Sequence, residues 1–224
     1  MMSQTTYSPE KERFRNALVL PFMLCFLIVL AFAVEKSLGV NFAKFGTQPR
    51  EFQGLIGIFT TPFIHADIKH LLNNLLSLFI LSYALFYFYR GIALKSLAFL
   101  WFVSGLLLWL IGRESYHIGA SGLIYALAFF LFFSGIFRQH IPLIAISAVI
   151  VFVYGSLVWG LFPYEEHPEI SWEGHLSGAV SGIIFAIIFR QYGPQKPVKV
   201  WEDEPDDENP FWLEQDNLHA DNTD

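Results

Sequence analysis

Six apolar runs, each near the ~20 residues a helix needs to cross a bilayer, divide this chain and leave it few ways to fold. They cover residues 17–34, 71–89, 92–111, 118–137, 141–162 and 172–189. Only 15% of the 224 residues are charged, against 54% hydrophobic, where soluble domains sit near ~25% charged. The reading is an all-α membrane protein with six spans. Residues 1–16 form a polar N-terminal segment, 17–190 a membrane domain, and 191–224 an acidic tail with the composition of a disordered segment. The net charge of -6 comes largely from that tail, and no basic stripe points to nucleic acid. The one cysteine, Cys25, allows neither an internal disulfide nor a cysteine metal cluster.

Two features of the ends and loops set the expected topology. Lys11, Arg13 and Arg15 ahead of the first run, with Ala31-Phe32-Ala33 near its end, resemble a signal peptide. The run is longer than a usual signal core and five more follow, so it reads as a retained span. Residues 35–69 are too long for a simple connection and carry an apolar piece, 55–64, too short to span; this first loop is expected to lie in the membrane interface. Placing the N-terminus inside leaves nine Lys and Arg inside and five outside. Both termini are therefore expected in the cytoplasm.

Polar residues inside spans are costly and mark sites. Three clusters qualify: His65, His70, Asn73 and Asn74 near the second span; Gly119-Ala120-Ser121-Gly122 at the fourth; and Gly174-His175, with Gly178 and Gly182, at the sixth. All three spans run in the same direction and carry the cluster at their N-terminal ends, which puts the clusters at one depth. Ser121 lies among small residues near a helix N-terminus, where negative charge is favoured. A serine hydroxyl needs an adjacent base, and His175 is the candidate. No Asp lies in a span, so a dyad is expected and something else must orient the imidazole. Tyr125 shares a helix face with Ser121 and is placed to stack on it. His70 and Asn74, also four apart, can join the Ser121 N–H in holding an oxyanion. Gly178 and Gly182 form a notch for close helix approach, expected against the fourth span, with Ala179 facing lipid or a looser contact. His117 reads as an interfacial histidine without a part in the chemistry, His65 likewise, and Trp101, Trp109, Trp159 and Trp172 as membrane-interface anchors.

Gly119-Ala-Ser-Gly-Leu-Ile-Tyr125 resembles the Gly-x-Ser-Gly nucleophile motif of the rhomboid intramembrane proteases. His70-Leu-Leu-Asn-Asn74 is similar to that family's His-x-x-x-Asn, and His65 to a further loop histidine. His175-Leu-Ser-Gly178-Ala-Val-Ser-Gly182 resembles its catalytic histidine and Gly-x-x-x-Gly. The resemblance covers about residues 17–190. It implies a six-helix rhomboid-like bundle and a serine endopeptidase that cuts membrane-anchored proteins within or beside a transmembrane segment. Ser121 would be nucleophile and His175 base; His70, Asn74, Gly119 and Tyr125 would support them. No cofactor or metal is implied; the partners are transmembrane substrates and the lipid bilayer. No transit peptide is evident, which fits a bacterial inner membrane. The chain departs from many members in the first loop, where Ile56-Gly57 replaces Trp-Arg, and near the end of the second span, where Phe86 replaces Glu. A zinc hydrolase built on His65, His70 and His175 would need a positioned carboxylate base, and no His-Glu-x-x-His occurs. A catalytically silent rhomboid-like client binder would lack the serine or the histidine. A transporter would show paired interrupted spans.

Overall fold

A computed structural model describes residues 9–163 and 170–197. Glu165, Glu166 and Glu169 of the loop before the last apolar run, and all of the tail beyond 197, lie outside them. Among the described residues seven α-helices follow in chain order: α1 (Pro9–Leu38), α2 (Gly57–Thr60), α3 (Ile68–Phe88), α4 (Ala93–Ile111), α5 (Ser121–Arg138), α6 (Ile141–Tyr154) and α7 (Trp172–Ile188). Four helices, and the continuous stretch of α6 through Leu161, are long and apolar enough to cross a membrane. The sixth expected span, α7, has 17 residues, about 26 Å at ~1.5 Å per residue, which is short of the ~30 Å hydrocarbon core. Its first turn is given over to Glu173, Gly174 and His175, so length alone does not make it a span.

The helix boundaries have local causes. The α3 helix starts three residues before the expected point because the Asp67 side chain caps it, accepting from the His70 N–H at 2.8 Å. Conversely, α5 starts three residues late: Gly119 sits at φ 103°, outside the helical region, and its N–H donates to the Thr61 carbonyl at 3.0 Å. The polar N-terminal segment is helical from Pro9 and is tied down where Arg13 donates twice to the Tyr87 carbonyl, at 3.0 and 2.8 Å. The expected fifth span is not one helix. At Gly155 the α-helix tightens into 3₁₀ turns through Leu161, in a stretch where Gly155, Ser156 and Gly160 are weak helix formers.

The central helix is α5, with eleven of its eighteen residues buried. It packs on α3, α4 and α6, and most extensively on α7. Close approach to α7 depends on glycine. A Cβ at Gly178 would collide with the Gly122 carbonyl oxygen, and one at Gly182 would lie 2.5 Å from the Ala126 carbonyl oxygen. Ala179 does not face lipid: it is 2% exposed, and Val180 is the residue that turns outward, at 37%. A second glycine contact, Gly135 against Leu143 and Ser147, joins α5 to α6.

The first loop is a chain of short turns (Ala43–Phe45, Phe52–Ile56, α2 and Thr61–Phe63) fastened to α4 and to the segment before α5. Trp101 and Trp109, expected as lipid-interface anchors, instead hold this loop: Trp101 Nε1 donates to the Ile58 carbonyl at 3.1 Å and Trp109 Nε1 to the Glu51 carbonyl at 2.9 Å. Thr47 and His117 exchange main-chain hydrogen bonds at 3.0 and 2.9 Å. Any side chain at Gly57 would collide with the main chain of Thr47. The Ile56-Gly57 pair therefore stands where the main chain packs closely, and the loop is anchored by α4 tryptophans instead.

Candidate active site

The N-terminal ends of α3, α5 and α7 converge, and the three polar clusters meet there. Ser121 opens α5, just past the positive-φ Gly119, where the first helical N–H groups have no intrahelical partner. Its Oγ lies 3.0 Å from His175 Nε2. His175 is in the first turn of α7, whose N-cap Ser171 accepts from the Gly174 N–H at 3.2 Å.

The other nitrogen of the imidazole decides what Nε2 can do. His175 Nδ1 lies 2.9 Å from the carbonyl oxygen of Gly160, in the 3₁₀ segment after α6. A carbonyl only accepts, so the neutral ring carries its proton on Nδ1 and turns the Nε2 lone pair to Ser121. The Tyr125 ring lies flat against the imidazole, with centroids 4.2 Å apart and planes 6° apart. Its hydroxyl donates to the Leu157 carbonyl at 2.8 Å. Two carbonyls of one 3₁₀ stretch thus hold both rings of the stack, and a Cβ at Gly160 would strike the Tyr125 hydroxyl.

On the other side of Ser121, His70 and Asn74 close on the Gly119 main chain. A methyl at Gly119 would lie 2.6 Å from His70 Nε2 and 3.3 Å from Asn74 Nδ2. Asn74 Nδ2 is buried without a protein partner, an open donor beside the serine of the kind an oxyanion would satisfy. Asn73 is exposed on α3 and joins the rim. Ser121, His175, His70, Asn74, Ser171 and His117 line one cavity of about 620 Å³.

Two histidines behave differently from expectation. His65 is fully buried, edge-on to the His70 ring at 5.0 Å between centroids. Burial, reinforced by the neighbouring His70, holds its pKa down from 6.5 to about 4. His117 is buried at 3% exposure and bonds to Ser171, with its pKa lowered by the same burial. The Gly160 and Leu157 carbonyls left no trace in the sequence, because main-chain acceptors carry no residue signature. Ser171 did leave one, as a serine immediately before a helical run. Among the described residues, no three His, Cys, Asp or Glu side chains are grouped to hold a metal ion.

These observations define an integral membrane protein with a serine and a histidine in hydrogen-bonding contact at converging helix ends. Residues 53–192 match the rhomboid domain family, and the chain belongs to the rhomboid family, a family of intramembrane proteases. Uncharacterised proteins of Mycobacterium tuberculosis and Mycobacterium bovis are each 33% identical over 169 residues, 72% of this chain and 70% of theirs. An uncharacterised Mycobacterium leprae protein is 29% identical over 197 residues, 81% of this chain and 77% of its own. A protein of Acanthamoeba polyphaga mimivirus whose name assigns it to the rhomboids is 25% identical over 140 residues, 60% of this chain and 75% of its own.

Proposed function

We propose that this protein is an intramembrane serine endopeptidase acting through a Ser121–His175 dyad on membrane-anchored proteins. The observation that carries the reading is the 3.0 Å contact from Ser121 Oγ to His175 Nε2, with Nδ1 already committed to Gly160. Family membership supports the same reaction class.

The chemistry follows from those contacts. The Ser121 hydroxyl passes its proton to His175 Nε2 as Oγ bonds to the scissile carbonyl carbon. The oxygen that takes up negative charge meets the donors of Asn74 and His70 and the free N–H at the start of α5. Each such donor is worth roughly a hundredfold to a thousandfold in rate. The imidazolium formed is stabilised by the Gly160 carbonyl dipole and by the face of Tyr125. It then protonates the leaving amine, and the acyl-serine is released when water attacks with His175 again as base.

In this reading α7 completes six spans, its short apolar length suited to a helix whose first turn lines an aqueous cavity. Both termini face the cytoplasm of a bacterial inner membrane, and the first loop lies in the opposite interface. The mycobacterial relatives support a bacterial setting. The test is fluorophosphonate labelling and cleavage of a transmembrane substrate by the detergent-purified chain. Ser121→Ala should lose both while its melting temperature stays within a few degrees of the parent. Cleavage that survives in Ser121→Ala sinks the reading, and a C-terminal reporter that behaves as periplasmic sinks the orientation.

A further inference from the structure

Outside the dyad, His117 is a buried residue whose main chain and ring join three separate parts of the chain. Its main chain pairs with Thr47, and its carbonyl also accepts from Thr61 Oγ1 at 3.2 Å. Its ring Nε2 lies 3.1 Å from the Arg113 carbonyl oxygen and its Nδ1 2.6 Å from Ser171 Oγ. The carbonyl accepts only, so the neutral ring holds its proton on Nε2 and offers the Nδ1 lone pair to Ser171. The Ser171 hydroxyl then donates to His117 and accepts from the Gly174 N–H. The Arg113 carbonyl thus sets the direction of the His117–Ser171 bond, with the Ser115 hydroxyl a further 3.4 Å neighbour of Nε2.

The two ends of that hydrogen-bonded chain are the two halves of the dyad. His117 precedes Ser121 by four residues, and Gly119 between them is held by the Thr61 carbonyl. Ser171 precedes His175 by four residues and its carbonyl accepts the His175 N–H at 3.1 Å. The glycine contacts of Gly178 and Gly182 set how closely α5 and α7 approach. On α7 they lie below His175, while on α5 the first of them meets Gly122, beside Ser121, so they fix the spacing of the two helices. The His117–Ser171 bond acts at the ends themselves, four residues before Ser121 on one side and four before His175 on the other.

We propose that His117 is a positioning residue, whose hydrogen bond to the Ser171 cap fixes the register of α7 against α5 and so the Ser121–His175 contact. The proposal rests on the dyad reading above. Burial keeps the ring in its neutral form near pH 7, and the charged groups acting on it are Arg113 and Glu173, themselves paired at 3.5 Å. A histidine that merely stabilised the loop would lower the melting temperature without a selective effect on Ser121.

The experiment measures the fluorophosphonate labelling rate of the full chain in one detergent, at a temperature where every variant is folded by its own melting curve. His117→Phe and Ser171→Ala should each slow labelling about 10- to 100-fold, since a misplacement near ~1 Å costs about a hundredfold. The double variant should be no slower than the slower single, because both break the same His117–Ser171 bond, although Ser171→Ala also removes the cap on the Gly174 N–H. His117→Asn, whose Oδ1 can accept in place of Nδ1, should label at least tenfold faster than His117→Phe. Wild-type labelling in His117→Phe, multiplying losses in the double variant, or equal rates for the Asn and Phe variants would each overturn the proposal. Failure of the dyad reading is seen separately, as labelling or cleavage that persists in Ser121→Ala, and the proposal then falls with it.

Discussion

The imidazole of His175 hangs between two helices: its Nε2 reaches Ser121 on α5 at 3.0 Å, while its Nδ1 is held at 2.9 Å by the Gly160 carbonyl beyond the end of α6. That carbonyl occupies the place an orienting carboxylate would take in a triad. It sets the tautomer without bringing a charge into the membrane, where a lone carboxylate is costly.

Gly160 should therefore be sensitive out of proportion to its size. A side chain there would strike the Tyr125 hydroxyl and approach His175 Nδ1 to 3.1 Å. Gly160→Val is expected to lower the cleavage rate by about a hundredfold, the cost of a ~1 Å displacement. Tyr125→Phe, which keeps the ring stack and loses the bond to Leu157, should lower stability by only about 1 kcal/mol. Cleavage kinetics beside thermal melts separate the two. A fully active Gly160→Val would show that the carbonyl does not orient the imidazole.

Asn74 should show opposite effects on function and stability. Its Nδ2 has no protein partner and Asn74 lines the cavity, so removing that donor breaks no hydrogen bond within the fold. Asn74→Ala should lose roughly a hundredfold to a thousandfold in kcat if the donor serves the oxyanion, while the melting temperature holds or rises. A marked drop in melting temperature with normal kcat would assign Asn74 to packing.

The glycine notch gives a paired comparison. Gly178→Val places its side chain on the Gly122 carbonyl and should cost about 1–3 kcal/mol by overpacking, with most of the activity. Val180→Leu on the outward side should leave both nearly unchanged. Ala179 is no neutral control, because it is buried. Equal losses at 178 and 180 would mean that the notch does not govern the α5–α7 approach.

Acid should destabilise the protein through His65. Its folded pKa of about 4 lies below the ordinary 6.5, so between those values the unfolded chain binds the proton more readily than the native one. The stabilising contribution of neutral His65 is complete above pH 6.5 and is lost as pH falls toward 4. Melting temperatures from pH 7 to pH 4 should decline, and His65→Leu should flatten the decline relative to its own value at pH 7. An unchanged slope in that variant would place the acid sensitivity elsewhere.

Much of this architecture was legible from residue order. Hydrophobic length alone marked the apolar runs, because a bilayer demands ~20 apolar residues regardless of what surrounds them. The site residues announced themselves as polar groups at matching helix ends, since polarity in a span needs a reason. The helix starts were less legible. Asp67 capping and the positive φ of Gly119 moved two of them by three residues, and both are local effects that apolar periodicity does not see.

What only the tertiary structure decided is carried mostly by the main chain. Main-chain carbonyls of Gly160 and Leu157 hold His175 and Tyr125, the Thr61 carbonyl holds Gly119, and the indoles of Trp101 and Trp109 bond to the first loop. Every residue type offers the same carbonyl, so no pattern of letters marks the one that will face an imidazole from another helix. His117 likewise reads as an ordinary loop histidine until the fold brings Ser171 to 2.6 Å. The sequence by itself determined which polar groups the fold gathers and at which helix ends they sit, because span length and side-chain polarity are properties of the residues. Packing decided what orients those groups, because orientation comes from contacts between segments 15 to 54 residues apart.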